Sequence, residues 1–366
     1  MECASSLSRL EYLKYFNAQL ELNRVPVSGS LELTKRCNLR CAHCYVGSAR
    51  TASSDARPEM KTDKVLALLD DIRDAGCLSL LITGGEPLLR PDFLKIYERA
   101  KENGMLVTLF TNGTLVKDRI LDLFSDLPPR SVEISLYGAT AHTYEAVTGV
   151  PGSYAKCIRG VEGLLDRGIE VGLKTVLMSL NRHEFFEIEK IAKQYGTSFR
   201  FDSDIFPRFD GDRTPVTLRV PVEDAIGFEM SAPERLDGWS KFLDSNNKFR
   251  LSDRLYCCGS GVTNFHIDAQ GHLFPCLMIS EVCFDLLSGS FDEGWESMTR
   301  LHEKKTAPAN RCVGCDKIAL CGYCPAFFML ETGDENRASE YLCTSGMARY
   351  NAIMNKRTVS KEDKWR

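Results

Sequence analysis

The sequence has no apolar run near the ~20 residues that a membrane span needs. It also lacks the basic region followed by an apolar core that marks a secretory signal, so a cytoplasmic protein is expected. Positive charge is not in excess: the formal net charge is -4, which gives no electrostatic case for nucleic acid or for an acidic membrane surface. Internal repeats and low-complexity tracts are missing as well, which sets aside solenoids and disordered linkers. With 43% hydrophobic and 26% charged residues, the rest of the composition is that of an ordinary globular protein. At 366 residues the chain exceeds one typical core, and two domains are expected.

Cysteine is plentiful, with 15 residues. In small secreted domains that density means disulfides; in a long chain without a signal sequence it points to metal ligands. Three cysteines lie at 37–44 and nine between Cys257 and Cys343, leaving Cys3, Cys77 and Cys157 scattered and expected to be structural.

Residues 1–26 suggest an amphipathic helix through Leu7, Leu10, Leu13, Phe16 and Leu20. From residue 29 strand and helix alternate. Strands are expected at 30–35, 78–83, 105–110, 132–136, 169–177 and 198–201, and helices at 62–75, 91–103, 116–124, 154–167 and 183–195. For the first helix Thr62 reads as N-cap and Gly76 as C-cap. This order predicts a parallel sheet with right-handed crossovers. Residues 205–255 lose the alternation and read as a connector with one or two helices; 256–350 form a second, cysteine-rich domain, and the polar tail over 351–366 is expected to fray.

The stretch Cys37-Asn38-Leu39-Arg40-Cys41-Ala42-His43-Cys44 places three thiols on the loop leaving the first strand, where they can converge on one soft metal centre. Three thiolates leave one iron of a four-iron cluster open; zinc or reduced cysteines are the plainer alternative. Gly84-Gly85-Glu86-Pro87 follows the second strand. A C-x3-C-x2-C loop with GGEP one strand later resembles the radical S-adenosylmethionine (radical SAM) enzymes, whose fold is an open, partial (β/α)6 TIM-type barrel over residues 27–204 here. The resemblance implies that Cys37, Cys41 and Cys44 hold a SAM-binding 4Fe-4S cluster and that Gly84, Gly85, Glu86 and Pro87 hold the methionine amino group. It places His43 or Tyr45 against the adenine, and Asn112 and Ser135 near the SAM carboxylate and ribose. Lys174, on the fifth strand, either joins them inside the barrel or is a solvated strand residue. Asp202 and Asp204 end the sixth strand; they face a substrate as acid or base, or they make a turn or a salt-bridged edge.

The later cysteines, C-x12-G-x4-C from Cys258 to Cys276, then Cys312, Cys315, Cys321, Cys324 and Cys343, resemble the SPASM domain that carries auxiliary iron–sulfur clusters in this family. The alternating residues around Gly271 suggest a β-hairpin that delivers Cys276. By resemblance, Cys258, Cys276 and Cys324 hold one cluster and Cys312, Cys315, Cys321 and Cys343 the other. Seven thiolates fall one short of two fully ligated clusters, so of the one or two auxiliary clusters either an iron stays open or Cys257 or Cys283 supplies an eighth ligand. The family's third gap is three residues where this chain has two, and a pair of zinc knuckles is the alternative reading.

The implied activity is reductive cleavage of SAM, abstraction of a substrate hydrogen by the adenosyl radical, and completion of an oxidation. An external donor of flavodoxin or ferredoxin type would supply the electron. The preferred substrate is a ribosomally made peptide, cross-linked or given a thioether, recognised by a separate leader-peptide-binding protein or by the barrel itself. Alternatives are a small-molecule or tetrapyrrole oxidoreductase, a formylglycine-forming sulfatase maturase (Leu277 stands where that group has an aspartate), and a non-enzymatic electron carrier.

Overall fold

The computed structural model describes residues 8–46 and 58–362. Cys3, Leu7 and the last four residues lie outside them. Six parallel strands, β1 (Ser28–Glu32), β2 (Ser79–Thr83), β3 (Leu106–Thr111), β4 (Ser131–Ser135), β5 (Val171–Val176) and β6 (Ser198–Asp202), are laid side by side in chain order. This is the α/β partial barrel that the sequence predicts, with strand ends displaced by at most three residues.

Alternation along each strand sorts the residues. Leu31, Leu80, Ile82, Val107, Leu109, Val132, Ile134 and Leu173 point outward into one buried cluster. The helix Thr62–Asp74 meets them with Val65, Leu68, Leu69 and Ile72, one apolar face at i, i+3, i+4 and i+7. The opposite positions, Ser30, Glu32, Phe110, Glu133, Ser135, Lys174 and Arg200, form the inner face. That face is polar and charged.

The cysteine-rich region does not stand apart from this sheet. Strand β7 (Asn264–Ile267) pairs parallel with β1, and β8 (His272–Phe274) and β9 (Phe284–Asp285) add antiparallel strands beyond it. The hairpin expected before Cys276 is β7–β8, and the sheet is continuous over nine strands.

Several local expectations are corrected. Thr62 is the first helical residue rather than the cap; its hydroxyl donates to Asp92 at 2.6 Å. An additional helix, Ala141–Thr148, is too short for periodicity to reveal and is capped by the Thr140 side chain. The connector does contain two helices, Val222–Met230 and Pro233–Asn246. The tail is helical through Glu362 as part of Glu340–Glu362, anchored by buried Ile353 and by Arg357 bonding Ser240 and Asp244. The N-terminal helix, Arg9–Leu22, has a Ser8–Glu11 capping box, and its Tyr12, Leu13, Tyr15, Phe16 and Leu22 are exposed. Among the described residues no helix is long and apolar enough to cross a membrane.

Candidate active site

The three cysteines 37, 41 and 44 lie on the loop leaving β1, and each part of that loop is tied to a different neighbour. Arg40 and Ala42 donate backbone hydrogen bonds to Thr148 and Val147 at 2.8 and 2.9 Å, which seats Cys41 against the helix that sequence periodicity missed. Asn38 donates to Thr114 at 2.8 Å and accepts from Asn112 at 2.9 Å; the same Asn112 amide lies 3.9 Å from the Cys37 sulfur. Arg208 donates to the Cys44 carbonyl at 3.2 Å, and Tyr45 packs between Phe206 and Phe209 at 5.8 and 5.2 Å.

Tyr137 is buried within electrostatic reach of all three thiols. Burial drives its pKa well up, the charges of Cys41, Cys44 and Cys37 push the same way, and a hydrogen bond with Ser135 opposes them. His43 packs edge-on against this ring at 4.6 Å. Tyr45 instead turns toward the 206–209 segment, where burial raises its pKa. Of the two adenine-site candidates, His43 is therefore the one beside Tyr137.

The GGEP segment is packed on the cysteine loop. Gly85 and Glu86 donate backbone bonds to Thr34 and Arg36 at 2.7 and 2.9 Å. A Cβ on Gly84 would lie 2.3 Å from the Thr34 carbonyl, and one on Gly85 2.2 Å from that of Arg36. Gly84 also has φ +131°, open to glycine alone. The missing side chains of both glycines make room for the neighbouring backbone. Glu86 is fully buried; its carboxylate accepts from Thr111, Asn112 and Leu88 at 2.7, 2.8 and 3.1 Å. Burial raises its pKa against those bonds. It locks the β2 loop to the β3 loop and so aims Asn112. Pro87, also buried, opens the short turn beyond it.

Deeper on the inner face, Lys174 stands beside Ser135 and Arg200 in register. It points inward, its Nζ 3.0 Å from the centre of the Phe110 ring, and burial lowers its pKa to about 7. On the far side of the barrel Ser30 contacts His266 at 2.8 Å, and His266 lies 3.9 Å from Glu32. Burial raises Glu32 to about 7 and lowers His266 to about 4, so the histidine is neutral. At the end of β6, Asp202 accepts the Asp204 amide at 2.8 Å, making the turn that the sequence allowed. Asp204 is mostly buried near Tyr341 and Arg349; burial and the Asp202 charge raise it to about 6.

The later cysteines fall into two neighbourhoods. Cys258, Cys276 and Cys324 feel one another's charge, and Cys258 donates to Ser260 at 3.3 Å. Cys312, Cys315, Cys321 and Cys343 form the second set. Tyr323 lies near both, and its hydroxyl donates to Leu255 at 3.0 Å. Cys257 neighbours Cys258 and Tyr323, whereas the charges that act on Cys283 are those of Asp268 and Asp285. Cys77 and Cys157 are buried in the barrel core. Among the described residues no three cysteine, histidine or acidic side chains stand close enough to hold a single metal ion. A multi-iron cluster sits between its ligands and needs them farther apart, and the all-thiol donor sets suit iron–sulfur chemistry.

The sequence signature of the Radical SAM superfamily matches residues 31–194. An AdoMet-dependent heme synthase from Nitratidesulfovibrio vulgaris is 26% identical over 351 residues, covering 86% of this chain and 90% of that protein. The antilisterial bacteriocin subtilosin biosynthesis protein AlbA of Bacillus subtilis is 25% identical over 87% of this chain and 71% of its own. In fold, the chain resembles the crystal structure of Streptococcus suis SuiB bound to S-adenosylmethionine, with a TM-score of 0.68 and 15% identity over 94% of this chain and 82% of that one.

Proposed function

Taking as premise that this chain is a radical SAM enzyme, we propose that it oxidises a ribosomally made peptide at an unactivated carbon. The observation that carries this reading is a single loop bearing three thiols within electrostatic reach of Tyr137, in a mouth whose other loops are bonded to that loop. Cys37, Cys41 and Cys44 would hold the SAM-binding 4Fe-4S cluster. The two later sets would hold auxiliary clusters, with Cys257 better placed than Cys283 as an eighth ligand. When bound, the first cluster supplies the electron that splits SAM into methionine and an adenosyl radical.

The chain's own residues do the rest. The GGEP loop, Asn112 and Ser135 orient SAM, with His43 toward its adenine. Tyr45, Phe206 and Phe209 pack together beside the third cysteine. Asp204 is the better of the two weak acid–base candidates: one of its buried oxygens has no hydrogen-bond partner among the described residues, and a pKa near 6 suits a proton acceptor. The region 256–350 is proposed as the unit that carries the second electron, and a small flavin or iron–sulfur protein as the donor of the first. Leader recognition is assigned to a separate protein.

A second reading, oxidation of a tetrapyrrole, is favoured by the heme synthase likeness, which spans most of both chains. Leu277 still speaks against sulfatase maturation, and membership in an enzyme family sets aside a pure electron carrier.

The test is anaerobic reconstitution with iron and sulfide, followed by dithionite and SAM. The expected product is 5′-deoxyadenosine, lost in Cys41→Ala. Iron counting should give more than one four-iron cluster per chain; a single cluster would remove the auxiliary assignment and leave the barrel reading standing. Deuterium transfer from labelled precursor peptide or from labelled porphyrinogen into deoxyadenosine decides between the two substrates.

A further inference from the structure

The inner face of the barrel holds a cation with no ion-pair partner among the described residues. Lys174 makes no hydrogen bond or ion pair there; its Nζ rests over the Phe110 ring. The carboxylate whose charge reaches it, Glu133, is engaged elsewhere, accepting the Arg200 guanidinium at 3.2 Å. Gly172 makes that arrangement possible, because a Cβ there would lie 2.6 Å from a Glu133 oxygen. Arg200 also reaches the Phe110 ring, its Cζ 5.3 Å from the centroid. Two cations and one carboxylate thus share one wall of the barrel, leaving a net charge of +1.

An ammonium stacked on an aromatic ring gains some of what it loses in leaving water, but it keeps three donors without acceptors. Folding a charge into such a place is unfavourable unless a counter-charge arrives. The burial that moves the Lys174 pKa toward neutrality measures the same deficit, with Arg200 adding to it and Glu133 opposing it. Lys174 is aligned with Ser135, which bonds the Tyr137 phenol within electrostatic reach of the three thiols, so the charge lies inside the reaction chamber.

We propose that Lys174, with Arg200 beside it, binds a carboxylate group of the substrate and fixes which carbon faces the radical. The ammonium takes one oxygen as a charge-assisted donor, and Arg200, whose side chain is 59% exposed toward the open edge of the barrel, takes the other as the group enters. This rests on the radical SAM reading and narrows it: the substrate carries an acidic side chain, a terminal carboxylate or a propionate close to the carbon that is oxidised. Lys174 then belongs to substrate rather than to SAM.

The test uses reconstituted protein saturated with SAM and a fluorinated probe, 3,3,3-trifluoropropionate, observed by 19F relaxation. Wild type should broaden the probe signal and leave trifluoropropionamide unchanged. Lys174→Met should abolish the broadening, Lys174→Arg should keep it, and Arg200→Gln should weaken it severalfold. The affinity for SAM should change less than twofold in all three. Equal broadening by wild type and Lys174→Met, or none by wild type, overturns the proposal. A tenfold loss of SAM affinity in Lys174→Met also overturns it, by assigning the ammonium to the cofactor. Release of deoxyadenosine by the wild type, scored separately, tells failure of this site from failure of the radical reading.

Discussion

At the scale of single residues, the inner face carries charges that folding has removed from water. Glu32 is 4% exposed, its nearest ionisable neighbour His266 is neutral, and Lys35 and Asp268 act on it with opposite sign. Its folded pKa of about 7 lies above the ordinary 4.5. Above pH 7 the glutamate is charged in both states and its desolvation opposes folding in full; as pH falls from 7 to 4.5 the folded form takes up a proton that the unfolded form does not, and the penalty fades. Glu32→Gln should therefore stabilise the protein at pH 8 by up to ~3 kcal/mol and have no effect near pH 4.5, read from urea unfolding. Single residues were the least legible part of the sequence. The cysteines and GGEP announce themselves by spacing. Tyr137, Asn38 and Arg208 do not, because their roles come from which loops the barrel brings together. The only hint for Tyr137 is its place two residues past β4.

At the scale of elements, the loops at the strand ends behave as one body. Glu86 joins two of them, Asn112 a third pairing, and Arg90 ties the end of β1 to Met60 and Asp92 through bonds of 2.7–3.0 Å. Gly85→Ala should lower stability by at least about 2 kcal/mol, because the backbone it meets cannot rotate away. The same substitution should reduce iron uptake at the first cysteine loop, measured as iron bound per chain. Alternating strand and helix patterns made the barrel readable, since the outward face of every strand is apolar. The helix Ala141–Thr148 escaped because eight residues give barely two turns of periodicity, and its docking is set by Glu184 accepting from Ala139 and Thr140 at 2.7 and 3.1 Å. The N-terminal helix shows the converse: of the apolar residues that suggest a buried face, Leu13 and Phe16 are exposed.

At the scale of the whole molecule, the sequence suggested a barrel and a separate cysteine-rich unit. The β7 pairing was not readable, because four residues, Asn264–Ile267, carry no sign of which strand they will join. Its neighbour β1 has β2 on one side and β7 on the other, and the segment before it is clamped too: Arg24 donates to the Trp295 and Gly261 carbonyls at 2.9 and 3.2 Å, while the Trp295 indole donates back to Arg24 at 2.7 Å. Removing this clamp with Trp295→Ala should cost about 3 kcal/mol or more, seen as a lower melting temperature, with the first cluster still able to assemble.

The β1–β7 seam also limits how the molecule can be dissected. A gene truncated after residue 255 would leave one side of β1 as a raw row of amides and carbonyls with Phe265 and Ile267 gone from beside it. Such a fragment should precipitate or pair with its own copies. A trimmed enzyme made for biotechnology must therefore keep the hairpin even if every later cysteine is discarded.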